Sequence, residues 1–485
     1  MKGIAFLLAI ATTILATDEI NSYLSNKELH EFLVDVNENY QNISYLYSIG
    51  SSVNGEDLWV LILTLAPNDE LGVPNVKIIG NIHGNEPVGR ELIVSFIKML
   101  LKGYTDDDSD IIHLLSTTRI HLLPSANPDG FANALEGECN IGPGRRNAND
   151  VDLNRNFIPE SPLDPYSVRN REEETMAIIN WMTEIQFVLS VSIHTGSLVV
   201  AYPYDECIPA STSFESCSKS PTDDEDVFRH LALTYASNTK GAIYNTCPGG
   251  KHFEHGITNG AAWYSASGTM GDYNYREHGC MELTVEVNCC KYPHPSKLND
   301  IKDNHLQALT AVIGEVHQGI KGVVTCGGVP TSATIKVIGR NMTTFTTEFG
   351  EYWRILLPGR YFLEVEASTV CTPKTVAVEI PKQKAGKHSR PVIKNINLKV
   401  KWIDDIDEEL AFEEKEEAAV EKESNTTFLD STTETNRNGT MVAFSNRTLL
   451  HLVPRMESSV SLASSLSLSN SASVVILCLP LYLWT

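Results

Sequence analysis

His83 and Glu86 stand three residues apart in Asn81-Ile82-His83-Gly84-Asn85-Glu86-Pro87. An imidazole and a carboxylate at this spacing can grip one zinc ion. A second histidine, His194, follows the apolar run Phe187–Ile193 and precedes Thr195-Gly196. A zinc site that does chemistry takes three protein ligands and leaves one position for water. With 14 histidines in the chain, His-x-x-Glu alone is a weak signal. Read singly, it is a surface turn, and His194 is a satisfied histidine at a strand end. What joins them is that each histidine follows an apolar run. Further on, Glu282-Leu283-Thr284-Val285-Glu286-Val287 alternates, so Glu282, Thr284 and Glu286 share one strand face. A carboxylate there could act as a base beside a metal. The pattern does not choose between Glu286 and Glu282. Gly144 to Phe157 carries Arg145, Arg146 and Arg155 among asparagines. Arginine makes the two-bond contacts that suit a carboxylate.

These residues need a scaffold that brings strand ends together. Leu58–Leu65, Val76–Ile82, Arg119–Leu123 and Phe187–Ile193 read as strands, from apolar runs of strand length. Leu92–Leu101, Glu172–Glu184 and Asp226–Asn238 read as helices. Pro87 suits a helix start. The alternation predicts an α/β fold, a mixed β-sheet flanked by helices. In such sheets, sites form at the strand ends. The connections Asn127–Asn156 and Ala201–Asp226 are long, as functional loops often are.

The 485 residues allow two or three domains. A formal net charge of -23 argues against nucleic acid as a partner. Lys2, the apolar Ile4–Leu15 and the small Ala16 read as a secretory signal, residues 1–16. The mature chain then meets an oxidising compartment. Of 10 cysteines, all but Cys478 precede the C-terminal apolar run, and most should pair there. Sequons lie at Asn42, Asn341, Asn425, Asn438 and Asn446. From Gly319 to about residue 402 short β-rich runs separated by turns predict an all-β sandwich. An acidic stretch, Asp404–Glu423, then gives way to Ser, Thr and Asn, which reads as a solvated stalk. Val474–Trp484 is apolar but too short to span a bilayer. Small residues, Ala463-Ser464-Ser465, lie upstream across a polar spacer, the arrangement of a glycosylphosphatidylinositol anchor signal.

Taken together, the pieces resemble the zinc metallocarboxypeptidases, in the regulatory carboxypeptidase N/E subfamily. The resemblance covers about residues 20–402. It rests on His83-Gly-Asn-Glu-Pro-Val-Gly-Arg-Glu91, Asn127-Pro-Asp-Gly-Phe131, Asp152-Leu-Asn-Arg-Asn-Phe157, Tyr202-Pro-Tyr-Asp205 and Cys289-Cys-Lys-Tyr-Pro293, in family order. Tyr352-Trp353-Arg354 and Leu357-Pro358-Gly359 look like the transthyretin-like sandwich that follows the catalytic domain in this branch.

The resemblance implies zinc, one ion, held by His83, Glu86 and His194. It implies Glu286 as catalytic glutamate, which resolves the choice left open above. Arg145 supports the polarised carbonyl, and Asn154 with Arg155 binds the substrate's terminal carboxylate. Tyr264 closes over the substrate, and Asp205 meets a basic side chain. It suggests disulfides Cys139–Cys290, Cys247–Cys289 and Cys326–Cys371. Cys207–Cys217 is our own assignment, and it leaves Cys280 free. In Gly268-Thr269-Met270-Gly271-Asp272, Gly271 replaces a glutamine common in the family's specificity pocket, so the pocket should be roomier and discriminate weakly between Arg and Lys. Thr195 stands where glycine is usual.

The expected layout is a signal at 1–16, a zinc carboxypeptidase domain at 17–317 and a transthyretin-like sandwich at 318–402. A stalk follows at 403–465 and a removed anchor signal at 466–485. The expected protein is a lipid-anchored, monomeric cell-surface enzyme releasing C-terminal Arg or Lys from peptides and proteins. The alternatives are the same chemistry with broadened preference, or a catalytically silent surface peptide-binding protein.

Overall fold

A computed structural model describes residues 20–67, 70–159, 170–207, 218–382 and 389–401. The expected signal, stalk and anchor segments lie outside these residues. Among the described residues, no helix is long and apolar enough to cross a membrane.

Eight strands form a mixed sheet: β1 (Ser44–Ser51), β2 (Asp57–Leu63), β3 (Asn75–Gly80), β4 (Arg119–Leu123), β5 (Phe187–His194), β6 (Ser197–Tyr202), β7 (Ile257–Asn259) and β8 (Met281–Asn288). Their spatial order is β1-β2-β4-β3-β5-β8-β6-β7. The centre, β4-β3-β5-β8, is parallel. Nine helices lie along the described chain: α1 (Asn26–Asn39), α2 (Val88–Thr105), α3 (Ser109–Thr117), α4 (Pro128–Asn133), α5 (Glu173–Glu184), α6 (Glu225–Ser237), α7 (Gly260–Trp263), α8 (Met270–His278) and α9 (Leu298–Gly314).

Strand alternation sorts the side chains onto two cores. Val76 and Ile78 of β3 join Leu283, Val285 and Val287 of β8 in a core covered by α1, α2, α3, α6 and α9. Ile79 points the other way, into a core built with α5 and α8. Both faces are therefore covered, and β5 is buried from end to end. Burial on both sides explains its nearly unbroken apolar run. Ser25 and Glu28 form a capping box that starts α1, a feature worth about 1 kcal/mol.

Beyond α9, β9 (Gly319–Cys326) begins a two-sheet β structure. β9 pairs with β10 (Val329–Pro330), β13 (Glu351–Ile355), β17 (Val392–Ile393) and β18 (Ile396–Val400), and β18 pairs with β15 (Cys371–Thr372). The facing sheet is β12 (Thr343–Phe345), β11 (Thr334–Val337), β14 (Gly359–Glu366) and β16 (Lys374–Ile380). Ile335, Val337, Leu363, Val365 and Leu398 fill the space between. Trp353 and Ile355 turn instead into the core of the α/β body. Asp224, fully buried, ties the parts together: it accepts from Arg354 at 2.6 Å, Arg340 at 2.5 Å and the Tyr275 hydroxyl at 2.7 Å.

The disulfides Cys139–Cys290, Cys247–Cys289 and Cys326–Cys371 are formed, and Cys280 is a free, buried thiol. Cys207 is disulfide-bonded; its expected partner, Cys217, lies outside the described residues.

Candidate active site

The site begins where β3 stops. Asn81 takes a left-handed backbone, φ 60°, which asparagine tolerates better than most residues. Its side-chain amide donates to the carbonyls of His83 and Gly84, at 2.8 and 2.9 Å. Gly84 presses against the backbone of Gly130, where any Cβ would lie 2.1 Å from a carbonyl carbon. The turn thus delivers His83 and Glu86 to the strand end, and α2 starts at Val88 with Pro87 as its cap. The helix runs past both ends of the predicted Leu92–Leu101, and at its start Val88, Gly89, Arg90 and Glu91 are buried too.

Strand β5 brings the third member. His194 ends it, and the register of β5 against β8 sets Glu286 directly beside His194. His83, Glu86 and His194 are all buried, and their ligand atoms lie within 4.8 Å of one another. His194 Nδ1 is 3.1 Å from Glu86 Oε2. His83 Nδ1 is 3.2 Å from Glu86 Oε1, yet it makes no hydrogen bond. The far nitrogens are both occupied: His83 Nε2 meets Asp152 at 3.1 Å, and His194 Nε2 meets Ser192 at 3.0 Å. An imidazole anchored at one nitrogen and aimed with the other is how proteins prepare a metal ligand. The buried, unbonded Nδ1 of His83 and the mixed nitrogen and oxygen donor set fit zinc.

Around this cluster the loop Gly144–Phe157 folds inward. Asn127 holds it by donating to the carbonyls of Ile82 and Arg145. Asp152 bonds the Arg145 guanidinium at 3.0 Å on its second oxygen, while Arg145 Nη1 lies 3.3 Å from Glu86. Burial pushes the Asp152 carboxyl up, but His83, Arg145 and Arg155 outweigh it and hold the group well below its ordinary value. Asn154 Oδ1 accepts from the Met270 backbone at 2.9 Å, which fixes the amide. Arg155 donates to the Asn154 carbonyl. Tyr264, 47% exposed, stands at the rim with its ring edge on Trp263.

Asp205 lies deeper. Its side chain occupies the space of a missing Cβ at Gly260, 1.8 Å from that position, so only glycine fits at the head of α7. Burial pushes the Asp205 carboxyl up, opposed by Thr269, Arg155 and His194. Asp272 accepts from the backbone amides of Asp205 and Glu206, at 2.8 and 3.1 Å. Burial and the charge of Asp205 push Asp272 up to about 8. Burial, with the nearby charge of Glu86, likewise pushes Glu286 up.

One cavity of about 210 Å³ is lined by all nine predicted site residues: His83, Glu86, His194, Glu286, Arg145, Asn154, Arg155, Tyr264 and Asp205. Two residues that hold the His83 and Glu86 side chains carry no role in the sequence reading. Asp152 opens the quoted run Asp-Leu-Asn-Arg-Asn-Phe, and Lys291 sits in Cys-Cys-Lys-Tyr-Pro, donating to Glu86 and to the Thr195 carbonyl. The motifs were the available signal; the contacts, across 69 and 205 residues, were not readable. Glu282 and Glu286 share a strand face, as the alternation predicts, but both are buried at 1% and 7% exposure.

Comparison with known proteins agrees with this geometry. A zinc carboxypeptidase family model matches residues 29–308. Mouse carboxypeptidase M is 40% identical over 354 residues, covering 71% of this chain and 77% of that protein. The carboxypeptidase N catalytic chain of rat is 38% identical over 376 residues, 73% of this chain and 82% of that one. Carboxypeptidase D of Drosophila melanogaster is 39% identical over 369 residues, 73% of this chain but 26% of that longer protein. The matched stretch runs through the β3 turn, the β5 end and β8, and the chain belongs to the zinc carboxypeptidase family as a metallocarboxypeptidase.

Proposed function

We propose that this protein releases C-terminal Arg or Lys from peptides and proteins outside the cell. The observation that carries the reading is a half-buried carboxylate, Asp205, in the same cavity as Asn154 and Arg155. An ionised carboxylate in such a place is costly unless paired. A terminal Lys or Arg side chain supplies the partner.

His83, Glu86 and His194 would hold the zinc, which when bound supplies a Lewis acid to polarise a carbonyl and acidify water. Glu286 takes the proton of the attacking water and delivers it to the leaving nitrogen. Arg145, steadied by Asp152, offsets charge growing on the carbonyl oxygen. Arg155 and Asn154 hold the substrate's terminal carboxylate, which confines cleavage to the last bond. Tyr264 covers the bound end.

The setting is part of the same reading. A signal at 1–16, a catalytic domain at 17–317, a sandwich at 318–402, a stalk at 403–465 and an anchor signal at 466–485 give a monomer tethered by lipid to the cell surface. The exposed sequons Asn42 and Asn341 are open to glycosylation.

The test is one peptide ending in Arg, made as the free acid and as the C-terminal amide. Release of Arg from the acid and none from the amide is expected. Equal release from both would overturn the assignment of Asn154 and Arg155.

A further inference from the structure

Gly271, in the first turn of α8, faces two acids at once. A Cβ built there would lie 3.6 Å from Glu282 Oε1 and 3.9 Å from Asp205 Oδ2, with the Pro203 ring at 3.9 Å. Glu282 is 1% exposed. Its Oε2 accepts from Ser190 and from Asn274 Nδ2, both at 2.7 Å. Asn274 in turn accepts from the buried ammonium of Lys77 at 2.6 Å, so Lys77 offsets the charge of Glu282 through a shared amide. Oε1 has no hydrogen-bond partner. A buried carboxylate oxygen left unpaired is costly, and here it looks toward the pocket acid. Strand geometry puts it below the cavity: Glu282, Thr284 and Glu286 share a face of β8, and Thr284 and Glu286 line the cavity.

We propose that Glu282 is a second acid of the specificity pocket, reached through the gap at Gly271, so that a terminal Arg or Lys places its cation between Asp205 Oδ2 and Glu282 Oε1. This rests on the basic-end reading above. The extended guanidinium carries donors on several nitrogens and can meet both oxygens together. A methyl at position 271 would touch both.

The experiment uses the full-length, zinc-containing protein and three matched peptides ending in Arg, Lys and norleucine. Two variants are compared with wild type. In Glu282→Gln, the amide oxygen can still accept from Ser190 and Asn274. In Gly271→Ala, the new methyl meets its neighbours at ordinary contact distances, so the fold is kept. The readout is the ratio of kcat/KM on Arg to kcat/KM on norleucine, with KM and kcat separated. Each variant should lower that ratio about tenfold or more, mainly through KM. A general structural defect lowers all three substrates in parallel and leaves the ratio unmoved. An unmoved ratio in either variant, with wild type still favouring Arg, overturns the role of Glu282. A wild type that does not favour Arg over norleucine overturns the basic-end reading itself, which is a separate result.

Discussion

Replacing Asp205 by Asn removes one charge and almost no volume. The side chain keeps an oxygen to accept from Thr269, and it still fits against Gly260, so the pocket keeps its shape. In the proposed reading, what changes is the partner offered to the substrate's cation. Losing one member of a buried charge pair costs about 2–5 kcal/mol. Glu282, across Gly271, leaves part of the negative potential in place. The low end of the range therefore applies, about 2–3 kcal/mol, or a loss of about 30- to 150-fold in kcat/KM on Arg and Lys ends. Peptides ending in Leu never made that pair and should lose far less. The assay is release of the last residue, followed by mass spectrometry, on two peptides differing only at the end. Equal proportional losses on Arg and Leu ends would refute the reasoning, since they would mean that Asp205 shapes the site rather than pairs with the substrate.

Glu286→Gln should retain zinc, measured by metal analysis, while kcat falls about 100- to 10,000-fold; a metal-replete variant with near-normal turnover would remove Glu286 from its role. Asp152→Asn loses the anion that anchors His83 and should weaken zinc binding about 10- to 100-fold in a chelator competition; unchanged metal affinity would show that Asp152 serves Arg145 alone. For Asp224, burial pushes the carboxyl up, but Arg354 and Arg340 outweigh it and hold it below its ordinary value. A depressed carboxylate pKa contributes stability above about pH 4 that is lost as pH falls through the folded value. Asp224→Asn should therefore cost about 3–5 kcal/mol in urea unfolding at pH 7, and the deficit should shrink toward pH 3; a deficit constant with pH would count against this ion cluster.

The parts of the fold that announce themselves are buried on both faces. β4 falls at Arg119–Leu123, as its apolar run predicts, and β5 and α5 differ from expectation by one residue each. β1 gives no such signal, because Ser44–Ser51 is an edge strand of half-exposed, mixed residues. β3 ends at Gly80, two residues before the apolar run does, since Asn81 has already turned the chain. The grouping of His83, Glu86 and His194 was readable because strand ends converge in an α/β sheet. That Glu286 rather than Glu282 lies beside His194 was not: it depends on register, which pairs Glu286 with His194 and Glu282 with Ser190. Nor could the sequence reveal that Asp224 gathers two arginines from the sandwich, because those contacts span more than a hundred residues.

The central claim is hydrolysis directed at a basic chain end. Its most direct measurement is a time course on an equimolar mixture of two peptides, identical except for a final Arg or a final Leu, with the zinc-loaded protein and again after chelation. The account predicts loss of the single terminal Arg first and by a wide margin, no internal cuts, silence after chelation and recovery when zinc is restored. Equal release of Leu and Arg, or fragments cut within the chain, would contradict it.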